Sequence, residues 1–156
     1  EIIRKLILNK KSKFNRNTDL LLYLASRSEN ISILKKNFRK KIILIDRFTD
    51  STLAYQHYGF RINKNLINMI NQYLLKDFKI DFTFLNIVNK INLNKRLKLR
   101  KSLNRYDQFN YIFYEKVQRG FLKLAKKNKK KYQIIDSNLD IKHNLSLILK
   151  KIDKLI

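Results

Sequence analysis

The chain has 156 residues, and its 36 Lys and Arg against 12 Asp and Glu give a formal net charge of +24. It has no cysteine, which excludes disulfides and thiolate metal sites, and its two histidines, His57 and His143, lie too far apart in sequence to predict a His-based metal site. The length suits one domain with a hydrophobic core, and no apolar run approaches the roughly 18 residues of a membrane span.

The positive charge is spread over the whole chain. Lysines occur in nearly every predicted helix, together with many Asn and Ile residues, and the densest cluster has six lysines between Lys123 and Lys131. That cluster follows a predicted helix and precedes an apolar strand, so we interpret it as a solvated helix end and loop. A basic nucleic-acid-binding α/β domain remains the alternative, since such an excess of charge is typical of those proteins.

Two amphipathic helices are predicted first. Apolar residues at a spacing of three to four predict a helix over residues 1–14, and a longer one over about 19–38 begins after an N-cap at Thr18 or Asn17. The apolar stripe of the second helix comprises Leu20, Leu24, Ile31, Leu34 and Phe38. Its broad apolar face suggests contact with a second subunit. Tyr23 and Arg27, four residues apart, share one face of this helix.

A short buried strand is predicted at 42–46, ending in Asp46 and Arg47. Ligands of open α/β sheets bind beyond the carboxyl ends of the strands, which puts both residues where a site is expected. The guanidinium of Arg47 suits a phosphate or carboxylate, and hydroxyl, acid and amide side chains follow it. The alternative is a plain strand end followed by a helix N-cap at Asp50 or Ser51.

The remaining chain alternates helices and strands. We predict a loop at 57–61 with Gly59 as its positive-φ residue, a helix at 64–76 capped by Asn63, strands at 82–87 and 132–136, and helices at about 89–101, 109–127 and 141–155. Arg96 and Arg100 share a face of the fourth helix. Strands alternating with helices predict a parallel sheet with helices on both faces.

One segment is specific enough to indicate a family. The run DRFTDSTLAYQ at 46–56 resembles the thymidylate (dTMP) kinase pattern, and LLLYLASR at 20–27, DFTFLNI at 81–87 and NRYDQFNYIFYEKVQRGFLKLA at 104–125 follow in the family's order. The resemblance covers nearly the whole chain. It implies an α/β fold like that of P-loop nucleoside monophosphate kinases, in which this chain lacks the first two strands. It also implies a single domain over 1–156 with a lid at about 92–107.

The resemblance also implies roles for individual residues. Tyr23 matches the aromatic residue that stacks on thymine, Arg27 the arginine at the base edge, and Arg47 the clamp on the acceptor phosphate. Ser51, Thr52 and Gln56 would face the base, with Thr52 as the main polar contact, and Tyr55 would lie under the deoxyribose. Arg96, Arg100 and Arg105 would close over the phosphates of ATP, and Asp46 would approach Mg²⁺ through a water.

A P-loop is missing from the 156 residues. With Gly59 and Gly120 as the only glycines, no G-x-x-x-x-G-K-[ST] motif is possible. We therefore expect the C-terminal three quarters of a dTMP kinase, inactive in turnover by itself, from a cytoplasmic homodimer that converts dTMP and ATP to dTDP. No specific nucleic-acid or membrane partner is expected. A pseudokinase that only binds nucleotide is the remaining alternative.

Overall fold

A computed structural model describes residues 2–36, 41–76 and 78–156, which divide into two compact units. The first unit comprises Glu1–Lys79 and Leu103–Phe121, and the second comprises Ile80–Ser102 and Leu122–Ile156. The helices are α1 (Ile2–Leu8), α2 (Arg16–Lys35), α3 (Thr49–Thr52), a π-helix (Leu53–Gly59), α4 (Lys64–Leu75), α5 (Lys90–Lys98), α6 (Tyr111–Lys127) and α7 (Ile141–Ile152), and the strands are β1 (Thr83–Ile87) and β2 (Tyr132–Asp136). The boundary between the units falls inside the expected lid.

Helix α2 carries the predicted apolar stripe. Leu20, Leu24 and Ile31 are buried, Leu34 is half-buried, and Phe38 lies outside the described residues. The N-cap differs from the prediction, because the side chain of Asn15 accepts the hydrogen bond from the Thr18 amide at 2.9 Å. Helix α1 ends at Leu8, so the prediction of helix up to residue 14 was too long.

The predicted strand at 42–46 is wrong. Residues 41–48 form no strand, and Ile42 and Leu44 expose 66% and 81% of their surface. A strand in a parallel sheet is stabilised by hydrogen bonds to neighbouring strands and by helices on its faces. Because no strand among the described residues pairs with this segment, three of the four apolar side chains at 42–45, those of Ile42, Leu44 and Ile45, remain exposed.

The segment after α3 is a seven-residue π-helix rather than the predicted glycine turn. The Phe60 amide bonds to the Tyr55 carbonyl at 2.9 Å, and Arg61 rather than Gly59 has the positive φ, at 64°. Gly59 is needed for space instead, because a Cβ there would lie 2.7 Å from Phe113 Cε2. The sequence predicted a glycine at this position for a positive φ, whereas the structure shows that the glycine is required by the close approach of Phe113.

The core of the first unit lies between this π-helix and α6. Ala54 of the π-helix is fully buried against Phe113 and Val117 of α6. Four more aromatic side chains pack around them, namely Tyr55, Phe60, Phe109 and Phe121. This packing fixes the position of Tyr55, which the sequence assigns to the nucleotide site.

The second unit contains the two predicted strands that form. β1 and β2 pair in parallel, with Thr83 opposite Tyr132 and Ile87 opposite Asp136. Helix α5 begins after an N-cap at Asn89 and ends at Lys98, earlier than the predicted residue 101. Helix α7 begins after its N-cap Asp140, as α4 of the first unit begins after Asn63.

Among residues 2–36, 41–76 and 78–156, none of the helices combines the length and the hydrophobicity of a membrane span.

Candidate functional site

Three predicted site residues from two separate motifs meet in the first unit. The Arg47 Cζ lies 5.3 Å from the centroid of the Tyr55 ring, a cation–π geometry. Tyr23 and Tyr55 both pack edge-on against Tyr106, with ring centroids 6.0 and 5.7 Å away. The structure therefore brings the expected phosphate clamp and the two expected ring contacts to one place.

Arg27, the arginine expected at the edge of the base, is buried, and both of its terminal guanidinium nitrogens donate hydrogen bonds. Its Nη1 donates to Asn71 Oδ1 at 3.0 Å and its Nη2 to the Phe48 carbonyl at 2.9 Å. The guanidinium also lies 5.1 Å from the centroid of the Phe48 ring. Burial lowers the pKa of Arg27 to about 10, against an opposing effect of Asp50, so the side chain stays charged at neutral pH.

The three residues expected to face the base differ in exposure. Ser51 is half-buried, whereas Thr52 and Gln56 are 2% and 1% exposed. Gln56 Nε2 is buried and donates to no group in the described part of the chain. Both buried side chains thus lie in the interior of the first unit.

Asp46, expected near the metal, is exposed next to Arg47. Within residues 2–36, 41–76 and 78–156, no group of three or more His, Cys, Asp or Glu side chains could hold a metal ion. A single carboxylate can contribute to a Mg²⁺ shell whose other ligands are waters and substrate phosphates, which is how Mg²⁺ usually binds in nucleotide sites. The residues fit that arrangement and no all-protein metal cage.

Arg105 is held by a buried carboxylate. Its Nη2 forms an ion pair with Asp19 Oδ1, and Tyr106 donates its hydroxyl hydrogen to Asp19 Oδ2 at 2.8 Å. Burial, followed by the nearby Tyr23 phenol, raises the pKa of Tyr106. Arg105 therefore lies within the first unit, whereas Arg96 and Arg100 belong to the second.

The second unit has a hydrogen-bonded cluster at the carboxyl ends of its strands. Arg96 Nη2 donates to the Ser137 carbonyl at 2.5 Å. Asn138 Oδ1 accepts from the Asn89 amide and from Asn92 Nδ2, each at 3.0 Å. Arg100 follows the end of α5 and is exposed. A ligand crevice is expected at this edge of a parallel sheet, so Arg96 is placed beside it.

Sequence reasoning gave no role to four residues at the site, which are Asp19, Phe48, Asn71 and Tyr106. One signal was available: Asp19 precedes Tyr23 by four positions and so lies one turn away on the same face of α2. Tyr106 stood inside a matched motif without an assigned role. Asn71 and the Phe48 carbonyl were not detectable, because they reach Arg27 only through the tertiary fold.

Comparisons with known proteins identify the family of the chain. A sequence model of the family described as thymidylate kinase matches residues 1–148. The chain is 36% identical over 161 residues to the thymidylate kinase of Mycoplasma capricolum subsp. capricolum, covering 97% of this chain and 76% of that protein. It is 41% identical to that of Trichodesmium erythraeum over 130 residues, which cover 81% of this chain and 57% of the relative.

A solved structure agrees as well. The crystal structure of thymidylate kinase from Ehrlichia chaffeensis superposes with a TM-score of 0.69 at 29% identity, over 92% of this chain and 68% of that chain. The fold is thus the α/β fold of the P-loop nucleoside monophosphate kinases, a class of phosphotransferases. Within that class, the chain belongs to the thymidylate kinase family.

Proposed function

We propose that the chain carries the acceptor site of an enzyme that transfers the γ-phosphoryl group of ATP to dTMP, giving dTDP. The observation that supports this most is the meeting of Arg47, Tyr55 and Tyr23 in one unit. A guanidinium beside aromatic rings suits a ligand with a planar base at one end and a phosphate at the other.

Each side chain then has a definite task. The ring of Tyr23 stacks on thymine, Tyr55 lies under the deoxyribose, and Arg47 binds the acceptor phosphate. Arg27 reaches the base edge with the N–H groups left over from Asn71 and the Phe48 carbonyl. Ser51 lies closest to the surface of the three hydroxyl and amide residues, and Thr52 and Gln56 support the base from below.

The phosphate-donor side uses the second group of arginines. Arg96 and Arg100 would neutralise the phosphates of ATP, since phosphoryl transfer depends on positioning and charge stabilisation more than on covalent chemistry. Arg105, which the resemblance also assigns to the phosphates of ATP, lies in the first unit and pairs there with Asp19. Mg²⁺ would supply charge neutralisation between the phosphates when bound with ATP, and Asp46 would reach its shell through a water.

The test is calorimetric titration of the 156-residue chain with dTMP, since acceptor binding requires no P-loop. We expect saturable binding of dTMP, weaker binding of thymidine because it lacks the phosphate, and at least about tenfold weaker dTMP binding by Arg47→Ala. Lys41→Ala removes a nearby exposed cation and should bind dTMP as the original chain does. Equal affinities for dTMP and thymidine would contradict the assignment of Arg47.

A dTMP titration in the presence of duplex DNA distinguishes the proposed enzyme from the alternative, a nucleic-acid-binding domain. With a net charge of +24, the chain will attract DNA, and the number of displaced counterions sets how steeply that affinity falls with salt. A specific dTMP site should retain its ligand in the presence of excess duplex DNA at physiological salt. Tight binding of DNA together with no response to dTMP alone would favour the nucleic-acid function.

We further propose that the enzyme is a homodimer through α2. Leu21 and Ile33 of that helix each expose 61% of their surface, although Leu20, Leu24 and Ile31 of the same helix are buried. Light scattering should give a dimer mass for the chain and a monomer mass for Leu21→Lys, with Met69→Lys as the exposed apolar control on α4. A monomer mass for the original chain at high concentration would contradict the dimer.

A further inference from the structure

Asp19 is a buried carboxylate with two separate partners. It is 3% exposed, its Oδ1 pairs with Arg105, and its Oδ2 accepts the hydrogen bond of the Tyr106 hydroxyl at 2.8 Å. It lies in the first turn of α2, where the helix dipole favours a negative charge. Because Asp19 is almost completely buried and both of its carboxylate oxygens have partners, any role in binding must act through its neighbours.

Its neighbour Tyr106 is the link to the proposed site. Tyr106 is 7% exposed, and its ring packs edge-on against Tyr23 at 6.0 Å and against Tyr55 at 5.7 Å. Its carbonyl accepts the hydroxyl hydrogen of Tyr114 at 2.7 Å, which fixes the backbone of this residue. The orientation of the Tyr106 ring is thus set at one end by its backbone and at the other by Asp19.

We propose that Asp19 is a positioning residue of the nucleotide site, which acts through Tyr106 to fix the rings of Tyr23 and Tyr55. This inference rests on the proposed function, in which those two rings contact dTMP. A buried ion pair adds little net stability compared with apolar residues of similar volume, so stability alone does not account for a carboxylate here. A hydrogen bond from a phenol, in contrast, gives the ring a defined direction that apolar packing does not impose.

A purely structural role is the competing explanation. The Arg105 amide donates to the Leu8 carbonyl at 3.2 Å, so the Asp19–Arg105 pair also holds the segment around residue 105 against the end of α1. If that were the whole role, neutralising Asp19 would lower the melting temperature and leave the dTMP affinity of the folded fraction unchanged. The two explanations therefore differ in nucleotide binding and in the environment of the tyrosines.

The experiment is a double-mutant cycle in dTMP affinity between Asp19→Asn and Tyr23→Ala. Asp19→Asn keeps the shape of the side chain, and we expect about tenfold weaker binding, because small misplacements of contact groups are costly. In the Tyr23→Ala background the same change should cost much less, since the ring that it positions is gone. Near-ultraviolet circular dichroism should show an altered tyrosine band in Asp19→Asn and an unchanged one in Glu115→Gln.

Glu115→Gln is a matched control, because it also neutralises the partner of an arginine, Arg119 at 2.9 Å, but at an exposed position on α6.

Additive effects of Asp19→Asn and Tyr23→Ala, or an unchanged affinity in Asp19→Asn, would overturn the inference and leave the proposed function intact. An unchanged affinity in Tyr23→Ala would overturn the stacking role of Tyr23 and this inference with it. If Asp19→Asn fails to fold, Tyr106→Phe decides, with several-fold weaker dTMP binding expected and an unchanged affinity as the contrary result.

Discussion

Gly120 of α6 lies directly against the ring of Tyr58, so closely that a Cβ on Gly120 would come within 2.5 Å of Tyr58 Cδ2 and 2.8 Å of its Cβ. The other glycine of the chain, Gly59, meets α6 in the same way at Phe113. The chain has only two glycines, and both of them lie at the contact between the π-helix and α6. This contact sets the position of Tyr55, and through it part of the proposed nucleotide site.

Gly120→Ala should destabilise the protein, although a glycine-to-alanine change inside a helix normally stabilises it by about 0.5–1 kcal/mol. We expect a loss of about 1–3 kcal/mol, because the new methyl group meets the stem of Tyr58 rather than a flexible end. Urea unfolding measures the change. Tyr58→Ala in the same chain should restore much of the loss, and a stabilising effect of Gly120→Ala alone would contradict the close packing.

Arg27→Lys should cost about 1–3 kcal/mol of stability and weaken dTMP binding. A lysine cannot reach Asn71 Oδ1 and the Phe48 carbonyl at the same time, so one buried acceptor is left unsatisfied. The matched control is Arg16→Lys, which alters an arginine that also donates to a carbonyl, that of Phe60 at 3.2 Å, but in an exposed position. Thermal unfolding of both variants should show a large effect only for Arg27. Equal effects would mean that burial does not matter at this arginine.

The stability should fall as the pH rises above 10, and Tyr106 should account for part of that fall. Burial raises the pKa values of Tyr106 and Tyr23 above the ordinary 10.0. A group whose pKa is raised by folding stabilises the fold fully below its unfolded value, and that contribution is lost as the pH rises past it. Tyr106→Phe should therefore lower the melting temperature less at pH 10.5 than at pH 8. Tyr73→Phe, at a 72% exposed site, should show no such difference between the two pH values, whereas a pH-independent effect of Tyr106→Phe would contradict the argument.

The sequence predicted correctly the elements whose signals are local. It predicted wrongly where contacts with distant parts of the chain decide whether an element forms. Asn63 caps α4 as predicted, and β1 and β2 form because each has a partner. The apolar run from Ile42 to Ile45 carried the same local signal, but local pattern cannot supply a neighbouring strand.

The site follows the same rule. Tyr23 and Arg47 were predicted from two different motifs. The structure packs Tyr23 against Tyr106 and Arg47 against Tyr55, and the rings of Tyr106 and Tyr55 contact each other. Asn71 was missed, since its amide is one of many in this chain and acquires its role only by reaching Arg27 across 44 residues of sequence. The role proposed for Asp19 could not be predicted either, because it depends on the hydrogen bond with Tyr106, which lies 87 positions away in sequence.

At position 47, stability and dTMP binding should favour different residues. The backbone conformation favours glycine, whereas the phosphate contact requires arginine. It has a φ of 61°, a left-handed conformation that costs a non-glycine residue about 1–2 kcal/mol. Arg47→Gly should therefore be more stable than Arg47→Ala by about 1 kcal/mol, because glycine adopts this conformation without strain. Both variants should bind dTMP equally weakly, since both lack the guanidinium that we assign to the acceptor phosphate. Urea unfolding and calorimetry on the pair separate the two effects. A glycine variant no more stable than the alanine one would show that the strain is absent, and dTMP binding by either at the original affinity would remove Arg47 from the phosphate site.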